Sequence, residues 1–218
     1  MTLLVAVPVA ARAQATTVPP RTSTTGVRSA KRTPRPATLP RPHPADAAFM
    51  SGMIHHHAQA ITMSRLAPTN GASDAVQVLA GRIINAQKDD IALMQQWLRE
   101  HNLLVPDPLA PAAKGVEGMS HDMPGMAHEV MMPGMLTPAQ MKALDGAKGA
   151  DFDRLFLSGM IQHHQGATAM VQELLSHDGA AQNREVFKLA ADVNVDQTTE
   201  IERMRKMLGA LMFERRAP

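Results

Sequence analysis

"SGMIHHHAQA" (residues 51–60) returns as "SGMIQHHQGA" (residues 158–167). The match extends to both sides. Asp46, Phe49, Ser51, Gly52, Met53, Ile54, His56, His57, Ala60 and Met63 align with Asp153, Phe156, Ser158, Gly159, Met160, Ile161, His163, His164, Ala167 and Met170 at a constant offset of 107. Further on, Gln87, Asp90, Ile91, Met94 and Leu98 align with Gln197, Glu200, Ile201, Met204 and Leu208 at an offset of 110. The change of three falls in the loop between the segments. The chain therefore contains one two-segment unit twice.

Both segments have a helical period. Phe49, Met53, His56, Ala60 and Met63 follow at spacings of four, three, four and three, which is one face of a helix. Asp46, just after Pro44, is expected to cap its first turn. Pro68 and Gly71 in "APTNGAS" (67–73) end it. A second helix is expected from about Ser73 or Asp74 to His101, with Val76, Leu79, Ala80, Ile83, Gln87, Ile91, Met94 and Leu98 as its stripe. Each hairpin has one apolar stripe and cannot bury it alone. Two hairpins packed face to face predict an all-α four-helix bundle over residues 46–213. Hairpin one is 46–101 and hairpin two 151–213, with residues 102–150 as a long crossover strap. In the strap Thr137, Pro138 and Gln140 form a capping-box signature, so a short helix to about Gly146 is expected.

The flanks differ from the bundle. The run "LLVAVPVA" (3–10) followed by "ARAQA" (11–15) reads as a signal peptide with small residues at the cleavage site. It is too short to span a bilayer, and it lacks a preceding positive charge. An extracytoplasmic, periplasmic location is expected. Residues 16–45, rich in Pro, Thr and Arg, read as a disordered linker. Seven basic and no acidic residues precede Asp46, leaving 15 basic against 20 acidic beyond it, a formal −5. The basic character thus belongs to the tail, where envelope or membrane contact would be confined. The mildly acidic folded part argues against nucleic acid as a partner. The chain has no cysteine, which excludes a disulfide framework and thiolate chemistry.

The repeated histidines point to metal. Successive helical residues diverge by about 100°, so three adjacent histidines cannot grip one ion from one helix. Positions three or four apart can meet: Met53 neighbours His56 and His57, and Met160 neighbours His163 and His164. His55 points away, and its counterpart is Gln162, so it is expected to face solvent. A bundle with twofold pseudo-symmetry brings Met53, His56, His57, Met63, Met160, His163, His164 and Met170 towards its centre. Four imidazoles there would be costly to bury without partners. Thioether and imidazole together suit Cu(I) first, with Ag(I) and Cu(II) as alternatives. Gln87, Asp90, Gln197 and Glu200 lie where they could orient the imidazoles. Methionine on an apolar stripe is ordinarily core filler, and Met94, Met204, Met207 and Met212 are read so. The strap adds a second candidate set, Met119, His121, Met123, Met126, His128, Met131, Met132 and Met135, punctuated by two "MPGM" turns.

At these residues the chain resembles the bacterial domain-of-unknown-function family 305. The resemblance rests on Phe-x3-Met-Ile-x-His-His-x2-Ala-x2-Met, on Gln-x2-(Asp/Glu)-Ile-x2-Met and on the "MPGM" strap, and it covers about residues 46–212. It implies a ferritin-like fold, export, and copper binding by Met53, His56, His57, Met63 and their repeat equivalents. The family includes a periplasmic copper-binding protein implicated in copper resistance. Two departures stand out: His55 is an added histidine, and Gly166 stands where the first half has Gln59.

Two other functions compete. A ferritin-like di-iron oxidase needs Glu on two helices and Glu-x-x-His on two others; no Glu-x-x-His occurs here. A helical interaction module tethered by its basic tail would need no metal. No nucleophile–base pattern and no phosphate loop is present, so a binding protein is expected rather than an enzyme. Its partners would be metal ions and another copper-handling protein.

Overall fold

The computed structural model describes residues 41–110 and 131–214. Five helices and no strand occur among them: α1 (Pro44–Arg65), α2 (Asp74–Glu100), α3 (Pro138–Gly146), α4 (Gly149–Ser176) and α5 (Arg184–Glu214). α1 pairs with α2 and α4 with α5; α1 and α4 join the two hairpins, and α3 rests on α4. Met170 reaches Gly52, in the first half of α1, and Met63, near its end, reaches Gly159. α1 and α4 therefore run antiparallel and cross near their middles.

The local signals behave as their chemistry requires. Thr137 accepts from the Gln140 N–H and the Gln140 side chain accepts from the Thr137 N–H, closing the capping box of α3. Ser73 precedes α2 and His101 follows it. All eight residues of the expected α2 stripe are buried, and Trp97 joins them.

Asp46 is not the cap of α1. The helix begins earlier, at Pro44, and His43 Nδ1 accepts from the Ala45 N–H. A proline with its φ already helical starts the helix a residue or two sooner than the capping rule suggests. Asp46 then sits inside the first turn, buried, and accepts from the Ala181 N–H at 2.7 Å. Its repeat partner Asp153 accepts from the Ser73 N–H through both oxygens, each at 3.2 Å. Each hairpin's first helix thus holds the turn of the other hairpin. A third tie is Asn70, also buried, whose amide donates to the Leu144 and Asp145 carbonyls at the end of α3.

The core is divided. One apolar cluster gathers Phe49, Met53, Met94, Leu98, Val171, Leu174 and Val186; the other gathers Met63, Leu79, Ile83, Phe152, Phe156, Met160 and Met204. Met94 and Met204 are fillers in these clusters, and Met207 packs at the edge of the second. Met212 does not: it is 57% exposed, although the adjacent Leu211 still packs against the second cluster.

Candidate metal centre

The crossing of α1 and α4 brings together what the sequence keeps 107 residues apart. His56, His57, His163 and His164 are each at most 1% exposed. The His56 and His163 rings lie 3.9 Å apart between centroids, tilted by 42°, and the His163 and His164 rings lie 6.2 Å apart. Antiparallel packing of two copies of one motif requires this, since residues at helix midpoints meet at the crossing.

Every one of these imidazoles uses Nε2 against an acceptor. His56 Nε2 lies 2.9 Å from the Pro133 carbonyl, and His163 Nε2 lies 2.9 Å from the His56 carbonyl. His57 Nε2 meets Asp90 Oδ2 at 3.2 Å, and His164 Nε2 meets Glu200 Oε2 at 2.6 Å. Carbonyls and carboxylates only accept, so Nε2 carries the proton in all four rings. In a neutral ring Nδ1 then holds a lone pair. All four Nδ1 atoms are buried and have no hydrogen-bond partner. Burial without a partner is costly, and an aromatic nitrogen lone pair in that state is a metal donor in waiting.

Electrostatics favour the neutral form of His56, His163 and His164. Desolvation first, and then the neighbouring His57, push His56 down to about 3, against the raising effect of the Pro133 carbonyl. Desolvation and the three other imidazoles hold His163 well below the ordinary range. Burial lowers His164 as well, opposed by Glu200. On the α2/α5 side Asp90 and Glu200 are about a quarter exposed. The exposed Asp196 is raised, by desolvation and then by Asp90, Asp192 and Glu200, so these carboxylates share one field. Gln87 and Gln197 are buried, each with an unpartnered Oε1.

The thioethers flank this layer rather than enter it as one group. Met53 is in one apolar cluster, with Met170 packed against it; Met63 and Met160 are in the other. Met53, Met63 and Met160 are fully buried, and Met170 is half-buried. Among the described residues no three His, Asp or Glu side chains form a group able to hold a metal ion. The residues nonetheless fit a soft cation. The available donors are neutral nitrogen lone pairs and sulfurs, which is the chemistry of Cu(I) and Ag(I) and not of an oxygen-ligated ion.

The strap closes the layer from outside. Its residues 131–136 lie across both histidine-bearing helices, and this explains the Gln59–Gly166 departure. Gln59 pins the strap, donating to the Leu136 carbonyl at 3.0 Å and accepting from the Leu136 N–H at 2.7 Å. Gly166 makes room for it: a Cβ there would stand 1.9 Å from the Pro133 oxygen. Gly134, at φ +75°, sits against the backbone of Gln162 and Gly166. Gln162 donates to the Gly134 and Met135 carbonyls, each at 3.3 Å. Of the strap candidates, Met131 is exposed, while Met132 and Met135 are half-buried. Met119, His121, Met123, Met126 and His128 lie outside the described residues. His55 is not a free surface residue: it is half-buried, and its Nδ1 is sealed without a partner. Neither the Pro133 carbonyl nor Gln59 was visible as a contributor in the sequence, except that the repeat fails at Gln59/Gly166.

The family model described as "Domain of unknown function (DUF305)" matches residues 46–208. A solved DUF305 fragment from Deinococcus radiodurans is 28% identical, with 78% of this chain and 99% of that one covered at a TM-score of 0.63. CopM in its Cu(II)-bound form is 28% identical, with 76% and 96% covered and a TM-score of 0.57. CopM in its Cu(I)-bound form is 26% identical, with the same coverage and a TM-score of 0.55. No curated protein matches the chain.

Proposed function

The chain belongs to the DUF305 family, and from that premise we propose that it is an exported binding protein for Cu(I) and Ag(I), serving to scavenge, buffer or pass on the metal. One observation carries this reading: four buried imidazoles share one tautomer, and all four Nδ1 lone pairs are unanswered. A core of this kind is costly as it stands and gains on taking up a soft cation. CopM, a similar protein, has been solved with Cu(I), Cu(II) and silver, which supports the same chemistry for this chain.

In this reading His56, His57, His163 and His164 supply nitrogen, and Met53, Met63, Met160 and Met170 supply sulfur from either side. Asp90 and Glu200 fix the outer imidazoles by holding Nε2–H, which leaves Nδ1 to the metal. The strap methionines, from Met119 to Met135, capture metal and hand it inward. Bound copper would be retained as cargo, and the reading assigns the chain no catalysis. Delivery to another copper-handling protein follows from that role. Export rests on the apolar run at residues 3–10 and the small residues after it. No helix among the described residues is long and apolar enough to cross a membrane. Against the di-iron reading, the carboxylates bonded to these histidines among the described residues are Asp90 and Glu200, each already engaged with an imidazole.

The test is an anaerobic Cu(I) titration of the full chain against a competing chelator. Wild type should hold Cu(I) against the chelator, and His56→Ala with His163→Ala should lower affinity or stoichiometry. Unchanged binding in the double variant would remove the histidine layer from the proposal.

A further inference from the structure

The duplication builds one slot twice, and the strap fills the two copies differently. Gly52 and Gly159 are repeat equivalents on α1 and α4. A Cβ on Gly159 would meet the Met63 Cε at 3.4 Å and Leu136 Cδ2 at 3.0 Å. A Cβ on Gly52 would meet the Met170 Cε at 3.5 Å and the Met132 Sδ at 3.4 Å. Met63 and Met170 are themselves equivalents. The same pocket on the same helix type is therefore closed by one thioether and an isobutyl group in one half, and by two thioethers in the other.

Exposure follows the same division. Met63 and Leu136 are buried at 0% and 3%, whereas Met132 and Met170 are both half-buried. If Met132 were only filling space, its place would match that of Leu136, which does so without sulfur. A third donor lies one turn along the same helix. His55 is at i+3 from Gly52, on the neighbouring part of that face, and its Nδ1 is sealed and unpartnered. The repeat has Gln162 there instead, occupied with the strap carbonyls.

We propose that Met132, Met170 and His55 form a second, peripheral soft-metal site over Gly52, where Cu(I) or Ag(I) passes between the strap and the buried histidine layer. Two thioethers and one imidazole suit a monovalent soft cation at low coordination number. Met132 and Met170 are only partly buried, which leaves a route for entry and exit. Pro133, the next residue after Met132, is bonded to His56 through its carbonyl, so the site and the layer share one stretch of strap. The inference rests on the soft-metal reading of the whole chain.

The experiment is an anaerobic Ag(I) titration of the full chain labelled with methyl-¹³C methionine, with signals assigned by single Met→Leu variants. The Met132 and Met170 methyl signals should move together, from the first additions. Met132→Leu should abolish the early Met170 response, leaving only its later response to the buried layer, and weaken one binding event by about ten-fold or more. His55→Ala should weaken the same event while both methyl signals still respond. Met204→Leu, a control at a buried filler of the second cluster, should leave both signals responding as in wild type. The proposal is overturned if the early Met170 response persists in Met132→Leu, or if the buried imidazoles take Ag(I) while Met132 stays silent. If no signal of any kind moves, the soft-metal reading of the protein falls with it.

Discussion

The His163 imidazole donates from Nε2 to the main-chain oxygen of His56, 2.9 Å away across the two hairpins. Its repeat equivalent, His56, donates instead to the Pro133 carbonyl of the strap. One strand of strap therefore breaks the twofold relation at the centre of the molecule, and both central rings end with Nδ1 free.

The strap's hold on His56 depends on Gly166. Gly166→Ala places a methyl group inside van der Waals contact with the Pro133 carbonyl, whose oxygen would be 1.9 Å away. The strap must lift. The expected results are destabilisation of about 1–3 kcal/mol, the size of a buried group left without its partner, and faster proteolysis within residues 131–136. Urea unfolding and limited proteolysis, each against wild type, measure the two.

Acid should unfold the metal-free protein early. His56, His163 and His164 all titrate below the ordinary histidine range in the fold, chiefly through desolvation. Their folded pKa values lie under the unfolded ones, so the unfolded chain binds more protons as pH falls. Stability should be flat above about pH 6.5 and decline below it, by roughly 1.4 kcal/mol per pH unit for each imidazole. For His56 the decline continues to about pH 3. Urea unfolding at pH 7.5, 6 and 5 tests the sign; stability that rises on acidification contradicts it.

Asp90 and Glu200 hold His57 and His164 by Nε2. Asp90→Asn and Glu200→Gln keep the size and remove the charge, so each imidazole exchanges an anionic acceptor for a weaker amide that can also turn its NH2 group towards Nε2 and no longer fixes the tautomer. Cu(I) affinity should fall by about 10- to 100-fold with helix content unchanged by circular dichroism. Equal affinity would show that these carboxylates serve only the apoprotein.

Asp46 and Asp153 each accept from a backbone N–H of the opposite hairpin's turn. Asp46→Ala and Asp153→Ala should each cost about 1.5–3 kcal/mol, the range for a hydrogen bond to a charged group. Because the two contacts are at opposite ends of the bundle, the losses should add in the double variant. Thermal unfolding of the four proteins gives the cycle.

Metal should stabilise the fold. At free Ag(I) a hundred times the dissociation constant, linkage gives about 2.7 kcal/mol, or a rise in melting temperature of roughly 5–10 °C for a domain of this size. Calorimetry with and without Ag(I) reads the shift, and its removal by a strong chelator should restore the lower value.

Much of this architecture was determined by the sequence alone. The constant offsets at 107 and 110 expose the duplication, and the three–four spacing of Phe49, Met53, His56, Ala60 and Met63 dictates a helix whichever way it packs. Thr137 and Gln140 specify their capping box because both partners lie within one turn. Local chemistry of that kind is written in neighbouring residues. What only the tertiary structure decided depends on residues far apart in the chain. Asp46 looked like a cap and instead clamps Ala181; the methionines looked like one convergent set and instead flank the histidines in two separate clusters. The tautomer of the four imidazoles, the fit of Pro133 over Gly166 and the approach of Met132 and Met170 to Gly52 arise only when two antiparallel helices and a strap fix distances that no spacing encodes.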